Sequence, residues 1–312
     1  FPTMGTYLTI TVHPASENHR QAMIEAAAEV ERLNATYSFY VPTSQLSRVN
    51  QSGAAGCEVD TEFLVILDRC REMNTLTAGA FDPTVGPLMK LWGFQLRQGR
   101  VPAAAEIRSA LEKVGFGKVR VKNNRVTLTR PGMALDFGAS VKGYAVDRAV
   151  AILKARGCAD FMVNLGGNIY AAGRSPSGEP WKVGLRDPRD TTRINAVIQL
   201  ADAGVATSGD YERMFVQDGK RYAHIVSPAT GNPVESMACV TVIARDAFTA
   251  DLFSTSCFLV GPSHPLPDSR VIGVLYGACR DSAGQTIGYS LTSGFKSVLI
   301  EEDLGQMESL PW

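Results

Sequence analysis

Hydrophobic and polar positions follow two different periods along the chain, and these periods separate strands from helices. Residues 5–14, "GTYLTITVHP", alternate between apolar and polar positions and end at a proline, which predicts a strand. Residues 16–33 are rich in alanine and have apolar positions every three or four residues, which predicts a helix with Ser16 as its cap. The predicted buried stripe of this helix consists of Met23, Ala27 and Val30.

Four further segments have the helical period. The clearest is residues 61–76, which Gly79 follows, and glycine often ends helices. Its apolar face consists of Phe63, Leu67, Cys70 and Met73. The other helices are predicted at residues 102–114, 140–156 and 247–260.

The rest of the chain is predicted to be mostly strand. Residues 118–129, "KVRVKNNRVTLT", alternate on both sides of Asn123-Asn124 and predict a hairpin, because asparagine tolerates the backbone of a tight turn. Several neighbouring strands are expected to be antiparallel, which favours an α+β fold over a doubly wound parallel sheet. We find no internal repeat or linker, and residues 173–180 are expected to form a surface loop, so we predict one interlocked domain over residues 1–312. The other strands are predicted at residues 161–165, 194–200, 212–217, 221–227, 237–244, 271–276, 286–291 and 296–301.

The composition argues against two classes of partner. The chain carries 31 Lys and Arg residues and 31 Asp and Glu residues, so no basic excess attracts nucleic acid or an anionic membrane surface. No apolar run is long enough for a membrane-spanning helix. The six cysteines form no C-x-x-C pair and no zinc pattern, and Cys70 and Cys257 are expected to be core residues of helices.

Several catalytic motifs are absent from the sequence. There is no dinucleotide-binding glycine fingerprint, no P-loop, no H-E-x-x-H and no G-x-S-x-G. With only four histidines in the chain, a metal site built from several imidazoles is not expected. A hard cation held by oxygen atoms is the better candidate.

The stretch "MALDFGASVKGYAVDRAVAIL", residues 133–153, places an acid and a lysine at the start of a predicted helix. Asp136 ends an apolar run, small residues follow, and Lys142 lies in the first helical turn. The free N–H groups and partial positive charge of a helix N-terminus suit a phosphate or another anion. Lys142 could instead be a lysine on a surface helix, or the partner of Asp136.

A second candidate lies in "TADLFSTSCF", where Asp251 and Thr255 are one helical turn apart. Their oxygen atoms can face one cation, and Mg²⁺ needs few protein ligands because water and substrate phosphate complete its shell. The alternative is that Thr255 bonds back to the helix backbone.

Two other stretches are candidate ligand contacts. His224 in "RYAHIVSPATGNPV" lies where a predicted strand meets a turn, so it suits a general base or substrate contact, or else it is a core histidine. In "TAGAFDPTVGPLMKLWGF", glycines around Asp82 and its aromatic neighbours would let the backbone approach a flat ligand, or else the stretch is a well-packed loop. Two strands end in small and polar residues typical of ligand-lining turns, in "NLGGN" and "GVATSGDYER".

Taken together, these stretches resemble the ApbE-type flavin transferases, the FAD:protein FMN transferases. The resemblance spans nearly the whole chain in order, and it implies a T-fold-related domain of mixed, largely antiparallel sheets flanked by helices. It also implies a reaction: FAD and Mg²⁺ bind, FMN is joined through its phosphate to a threonine or serine of a partner protein, and AMP leaves. The matching motifs are "MGTYLTITV", "YSFYVPTSQLSRVN", "GAFDPTVGPLMKLWGF", "ALDFGASVKGYAVDRA", "NLGGNIYAAG", "PWKVGLRDP", "GVATSGDYERMF", "HIVSPATGNPV" and "ADLFSTSCFLVG".

The resemblance also implies roles for individual residues. The metal ligands would be Asp251, Thr255 and the main-chain carbonyl of Ala139. His224, or else Asp251 or a metal-bound water, would take the proton of the acceptor hydroxyl. The family pattern D-x-G-G-I-A-K-G-Y appears here as "DFGASVKGY", which keeps the spacing of acid and lysine but changes the residues between them. The flavin nucleotide would contact Met4, Tyr40, Ala80, Phe81, Asp82, Asp136, Lys142, His224 and Ile225.

Two other functions fit the same sequence. Water in place of a protein hydroxyl would make the chain a Mg²⁺-dependent FAD pyrophosphatase that gives FMN and AMP. A protein that binds flavin without turnover is the third possibility, although binding alone needs no metal. The resemblance implies a periplasmic location, with a signal removed upstream of Phe1, and an acceptor with an FMN-binding domain in a membrane redox complex.

Overall fold

The computed structural model describes residues 1–94, 98–277, 288–302 and 307–309. Within these ranges the helices are α1 (Glu17–Tyr37), α2 (Gln45–Ser52), α3 (Thr61–Leu76), α4 (Gly86–Leu91), α5 (Ala104–Leu111), α6 (Val141–Ala155), α7 (Ala247–Val260) and α8 (Ser293–Lys296). The strands are β1 (Pro2–Thr3), β2 (Thr6–His13), β3 (Cys57–Glu58), β4 (Val119–Lys122), β5 (Arg125–Leu128), β6 (Asp160–Leu165), β7 (Asn168–Ala172), β8 (Trp181–Arg186), β9 (Ile194–Leu200), β10 (Ala203–Gly209), β11 (Met214–Gln217), β12 (Lys220–Ala223), β13 (Cys239–Ala244), β14 (Val271–Gly277), β15 (Tyr289–Leu291), β16 (Leu299–Glu302) and β17 (Met307–Ser309).

The chain divides into two units, each assembled from separated stretches of sequence. Unit 1 comprises residues 1–34, 141–209 and 236–312, and unit 2 comprises residues 35–140 and 210–235. The single domain expected from the sequence stays a prediction.

A nine-stranded sheet forms the centre of unit 1, in the order β1-β2-β6-β7-β10-β13-β14-β15-β17. Its neighbouring strands are antiparallel except β15 and β17, which are parallel. Helices α6 and α7 pack on one face, since Ala206 of β10 lies in a cluster with Ala250 of α7. The adjacent Val205 faces the other side and packs with Ile198 of β9 in the three-stranded sheet β16-β9-β8. The α+β prediction with largely antiparallel sheets is confirmed.

Unit 2 combines the helices α2 to α5 with two small sheets, β3-β5-β4 and β11-β12. Its largest aromatic group surrounds Trp92, whose indole N–H donates to the carbonyl oxygen of Gly231 at 2.8 Å. This bond ties the end of α4 to the turn that follows His224. The rings packed with Trp92 are Phe94, Phe215 and Tyr222.

Most sequence-derived elements are present, and several boundaries differ. The strand at 194–200 and the helices at 61–76 and 247–260 have the predicted bounds. The helix predicted at 102–114 is shorter, Ala104–Leu111, and the strand predicted at 221–227 ends at Ala223. Of the strand predicted at 286–291, positions 286 and 287 lie outside the described residues, and the rest is β15 from Tyr289.

The predicted buried stripe of α1 was wrong by one position. Met23 and Ala27 are only partly buried, whereas Val30 is fully buried as predicted. The run of alanines at 26–28 offers similar hydrophobicity on several faces of the helix, so the pattern did not distinguish neighbouring positions. The buried stripe consists of Ala22, Ala26, Val30, Leu33 and Tyr37.

Strand β10 was not among the strands whose bounds were predicted, although a strand end was expected in "GVATSGDYER". It supports the helix that carries Asp251. Its sequence is "AGVATSG", and glycine and alanine have a weak strand preference. The small side chains are required by packing, because a Cβ on Gly204 would lie 2.7 Å from the Cα of Ala247 in α7. The helix lies so close to the strand that only small residues fit there. Because such residues have a weak strand preference, the sequence pattern did not predict the bounds of this strand.

The cysteine prediction is confirmed for the described residues. Cys70 and Cys257 are buried in α3 and α7, Cys158 and Cys239 are also buried, and Cys57 is partly buried. Cys279 lies outside the described residues. Within the described part of the chain, no helix is both long and apolar enough to cross a membrane.

Candidate functional site

Helix α7 places a carboxylate inside unit 1. Almost all of α7 is buried, and the Asp251 side chain is only 4% exposed. A buried carboxylate needs charge compensation and hydrogen bonds. The Lys142 ammonium lies 3.2 Å from Asp251 Oδ1, and the main-chain N–H of Gly143 donates to Oδ2 at 2.8 Å. Both partners come from the first turn of α6, so the lysine considered for a surface position or for Asp136 is paired with Asp251.

Gly143 allows the two helices to approach closely enough for these contacts. A Cβ at this position would collide with the carbonyl oxygen of Ala247 and lie 2.6 Å from the Cβ of Asp251. Backbone atoms cannot move aside as the end of a flexible side chain can. The glycine after Lys142 is therefore a packing requirement of the α6–α7 pair.

Two acids at the start of α7 fix the helix against α6. Asp246 is the N-cap and accepts from the main-chain N–H of Thr249 at 2.6 Å. Asp147 of α6 accepts from the main-chain N–H groups of Ala247 and Phe248, at 2.8 and 2.9 Å. These carboxylates accept hydrogen bonds from N–H groups that have no partner within the helix. Their negative charge is also stabilised by the positive end of the helix dipole. The position of Asp251 is thereby fixed from both helices.

Thr255 lies one turn after Asp251, as the sequence predicted, and it contacts strand β10. Its Oγ1 is 3.0 Å from Oγ of Ser208, which is also 2.9 Å from Oγ of Ser254. The stretch "GVATSGDYER" was predicted to line a ligand site, but no role was predicted for Ser208. The contact with Thr255 depends on β10, whose bounds the sequence did not predict.

The arrangement in α7 provides oxygen ligands for a hard cation. A carboxylate and a hydroxyl one turn apart are the donor types that Mg²⁺ prefers, with water and phosphate completing the shell. Within the described ranges, no three His, Cys, Asp or Glu side chains are grouped as a metal site. A site built from Asp251 and Thr255 therefore needs further oxygen atoms, which a main-chain carbonyl, water and a phosphorylated substrate can supply.

Unit 2 holds His224 just after strand β12. Its main-chain N–H donates to the carbonyl oxygen of Arg213 at 3.0 Å, and its Nδ1 lies 3.2 Å from the same oxygen. A carbonyl oxygen only accepts, so the neutral ring carries its proton on Nδ1 and has a lone pair on Nε2. This tautomer is the one that a general base acting through Nε2 requires.

Tyr40 forms an exposed aromatic contact in the same unit. Tyr40 is 51% exposed, and its hydroxyl accepts a hydrogen bond from Nη1 of Arg213 at 2.7 Å. The guanidinium carbon lies 5.9 Å from the centre of the ring. Arg213 thus links the Tyr40 ring to His224, which bonds to the Arg213 main-chain carbonyl. Ile225, the residue after His224, is buried.

The residues predicted at 80–82 are mainly packed inside unit 2. Asp82 Oδ1 accepts from the N–H and hydroxyl of Thr84, at 2.8 and 2.6 Å, and Oδ2 accepts from the N–H of Phe116 at 2.8 Å. Burial raises the pKa of Asp82 above its usual value. Phe81 is buried and Ala80 is partly exposed. The geometry gives Asp82 a bracing role, and its contact with the flavin stays a prediction.

Asp136 and Ala139 lie in the turn that precedes α6. The amide of Asn50 fixes the approach to this turn by bonding both the N–H and the carbonyl of Leu135, at 2.7 and 2.9 Å. Asp136 Oδ1 accepts from the N–H of Gly138 at 2.7 Å, and Ala139 is partly buried. The carbonyl of Ala139 as a metal ligand stays a prediction.

Met4 lies in unit 1, in the turn between β1 and β2. Its φ angle is +49°, a left-handed conformation that residues with a side chain adopt infrequently. Such conformations persist where surrounding structure holds them and are common at ligand sites. The flavin contact predicted for Met4 stays a prediction.

Comparison with known proteins identifies the family. The ApbE family model matches residues 4–266. The FAD:protein FMN transferase of Vibrio cholerae is 33% identical over 83% of this chain and 80% of its own length. The FAD:protein FMN transferase of Haemophilus influenzae is 34% identical, covering 85% of this chain and 80% of its own length.

Solved structures agree with the sequence comparison. The ApbE protein of Thermotoga maritima superposes with a TM-score of 0.86 at 32% identity, covering 96% of this chain and 98% of its own. The flavin transferase ApbE of Vibrio cholerae gives a TM-score of 0.81 at 30% identity, covering 96% and 97%. The chain belongs to the ApbE family. The resemblance found in the sequence is confirmed, and so is the fold class.

Proposed function

We propose that this protein is a Mg²⁺-dependent FAD:protein FMN transferase. A threonine or serine hydroxyl of an acceptor protein attacks the phosphorus of the FMN half of FAD. A new phosphoester O–P bond forms, the pyrophosphate P–O bond breaks, and AMP leaves. The relatives named above support the transferase class, and the geometry of α6 and α7 supports the metal dependence.

The observation that carries this proposal is the buried Asp251, with Thr255 one turn away and Lys142 at 3.2 Å. Asp251 and Thr255 would hold Mg²⁺, and the family resemblance implies that the carbonyl of Ala139 would be a further ligand. When bound, the ion supplies positive charge that stabilises the transferring phosphates. A donor set of carboxylate and hydroxyl oxygens fits this ion.

Lys142 contributes a second positive charge. In the structure its ammonium neutralises Asp251, and its side chain remains 28% exposed. An ammonium in the first turn of a helix adds to the positive end of the helix dipole, which favours phosphate. Lys142 would therefore contact the phosphates once the carboxylate serves the cation.

His224 is the proposed base for the acceptor hydroxyl. The bond from Nδ1 to the Arg213 carbonyl keeps the lone pair on Nε2. Asp251 and a metal-bound water are the other candidates from the sequence, but Asp251 would serve the cation as a ligand. We therefore assign the proton transfer to His224, whose Nε2 keeps its lone pair.

The experiment that tests the function is an intact mass spectrum of the acceptor. The protein is mixed with FAD, Mg²⁺ and a panel of candidate proteins that carry FMN-binding domains. A mass gain of one FMN residue that EDTA prevents is the expected result. Free FMN and AMP with every acceptor unmodified would favour the pyrophosphatase instead, and intact FAD would favour the binding protein.

We further propose that the protein acts in the periplasm on a redox protein associated with a membrane. The support is the family resemblance alone. Detection of the native protein in the periplasmic fraction of its host is the expected result, and recovery with cytoplasmic markers would contradict it.

A further inference from the structure

Three hydroxyl groups in unit 1 form a continuous chain that ends at a carbonyl oxygen. Ser254 Oγ lies 2.9 Å from the main-chain oxygen of Asp251. Ser208 Oγ lies 2.9 Å from Ser254 Oγ and 3.0 Å from Thr255 Oγ1. Ser254 is 1% exposed, whereas Ser208 and Thr255 are partly exposed, so the row of hydroxyls runs from the interior of unit 1 toward its surface.

The donor and acceptor of each hydrogen bond among these hydroxyls follow from counting protons. A carbonyl oxygen cannot donate, so the single proton of Ser254 points to Asp251. Ser254 then accepts from Ser208, which uses the proton of Ser208. Ser208 in turn accepts from Thr255. The proton of Thr255 is thereby directed toward the strand, and the lone pairs of Oγ1 are left for another partner.

We propose that Ser208 and Ser254 are positioning residues that orient Thr255 Oγ1 as an oxygen ligand for a divalent cation. This inference rests on the proposed metal site at Asp251 and Thr255. A hydroxyl whose proton pointed at the cation would repel it, whereas a hydroxyl that donates elsewhere presents electron density. Groups that hydrogen-bond to a metal ligand set its orientation in this way in other metal sites.

The packing of β10 against α7 holds the three hydroxyls of Ser208, Ser254 and Thr255, called the relay below, at hydrogen-bonding distance. Gly204 lies against Ala247 at the start of the helix, and Ala206 packs with Ala250 one turn later. Ser208 is the next residue of β10 on the same face, and it meets the following turn of the helix at Thr255. The small residues upstream set the distance at which the two hydroxyls meet.

The test compares Mn²⁺ binding by single variants, with and without FAD. Bound Mn²⁺ is measured from the loss of the electron paramagnetic resonance signal of the free ion. We expect Ser208→Ala to weaken Mn²⁺ binding about 10-fold, the lower end of the effect of such outer groups. Ser254→Ala should weaken it in the same direction but less, because Thr255 keeps its direct partner.

Two controls separate positioning from a general packing effect. Ser256 is also buried in α7 and donates to the carbonyl of Leu252 at 2.8 Å, outside the relay. Ser256→Ala should leave Mn²⁺ binding unchanged. Ser208→Thr keeps the hydroxyl and should restore binding. The urea midpoint of each variant shows whether it is folded, and Ser254→Ala tests the relay if Ser208→Ala does not fold.

The outcomes separate this inference from the proposed function. Wild-type binding of Mn²⁺ that Asp251→Asn removes, together with unchanged binding by folded Ser208→Ala and Ser254→Ala, would overturn the relay and leave the metal site standing. Mn²⁺ binding that Asp251→Asn does not change would overturn both. Equal losses in Ser208→Ala and Ser256→Ala would overturn the positioning role, because the effect would then be one of packing.

Discussion

The α6–α7 pair of unit 1 and the Tyr40–His224 region of unit 2 are built in opposite ways. In the first, contacts between distant segments hold the site: the Lys142 ammonium and the Gly143 N–H bind the buried Asp251, and Ser208 bonds to Thr255. In the second, Tyr40 is half exposed and His224 is held by a main-chain carbonyl. We infer that the helices form a rigid charged site, whereas the strand ends and loops provide adaptable substrate contacts.

Replacement of Asp251 should have the largest effect on activity. Asp251→Asn keeps the shape but removes the charge that holds the cation, so FMN transfer should fall by about 10³-fold or more. The measurement is the initial rate of FMN attachment to an acceptor at saturating Mg²⁺. Asp202→Asn, an exposed acid in a turn, is the control and should retain the wild-type rate. Retained metal-dependent transfer by Asp251→Asn would overturn the assignment.

Replacement of His224 should remove the base while leaving the charge site intact. His224→Gln is expected to slow transfer about 10²-fold, a typical loss for a general base. Its Mn²⁺ affinity should match that of the wild type, because the metal ligands are unchanged. His19→Gln is a matched control, since Nδ1 of His19 also bonds to a main-chain carbonyl, that of Pro14. An unchanged rate for His224→Gln would exclude the base role.

A methyl group at Gly143 should separate the two helices. Gly143→Ala gains about 1 kcal/mol of helix propensity, but its Cβ would collide with backbone atoms of α7. We expect a net loss of about 1–3 kcal/mol in the free energy of unfolding, measured in urea, because the core becomes overpacked. Gly117→Ala is the control, since its Cβ would have no atom within 4 Å. Equal stability of the two variants would show that the α6–α7 contact tolerates a methyl group.

Loss of the Tyr40 ring should have the smallest effect. Tyr40→Ala is expected to raise the KM for FAD a few-fold with little change in kcat, because an exposed aromatic contact contributes about 0.5–1 kcal/mol. Tyr40→Phe keeps the ring and loses only the acceptor for Arg213, so it should lie between Tyr40→Ala and the wild type. A large fall in kcat for Tyr40→Phe would show that the hydroxyl takes part in the reaction, and it would contradict the assignment of Tyr40 to substrate binding alone.

The sequence predicted the local parts of this site better than the contacts between distant segments. Asp251 and Thr255 are four residues apart, so the period of one helix is enough to place them on one face. The pairing of Lys142 with Asp251 joins residues 109 positions apart. That contact depends on the approach of α6 to α7, which no local pattern in the chain specifies.

The role of Ser208 was missed because the residues of its strand give conflicting signals of secondary structure. Ser208 lies in "AGVATSG", where glycine and alanine, which have a weak strand preference, outnumber the strand-favouring Val205 and Thr207. The flavin contact of Asp82 stays a prediction, but the sequence did not show that both of its carboxylate oxygens bind groups in its own unit. The nine ordered motifs predicted the family correctly because their sum does not depend on any one contact.

Anomalous diffraction from crystals containing Mn²⁺ and FAD would test the central claim most directly. The account predicts a peak at about 2.1 Å from oxygen atoms of both Asp251 and Thr255, with Lys142 displaced from the carboxylate toward phosphate. A peak elsewhere in the protein, with the ion pair between Lys142 and Asp251 intact, would contradict it.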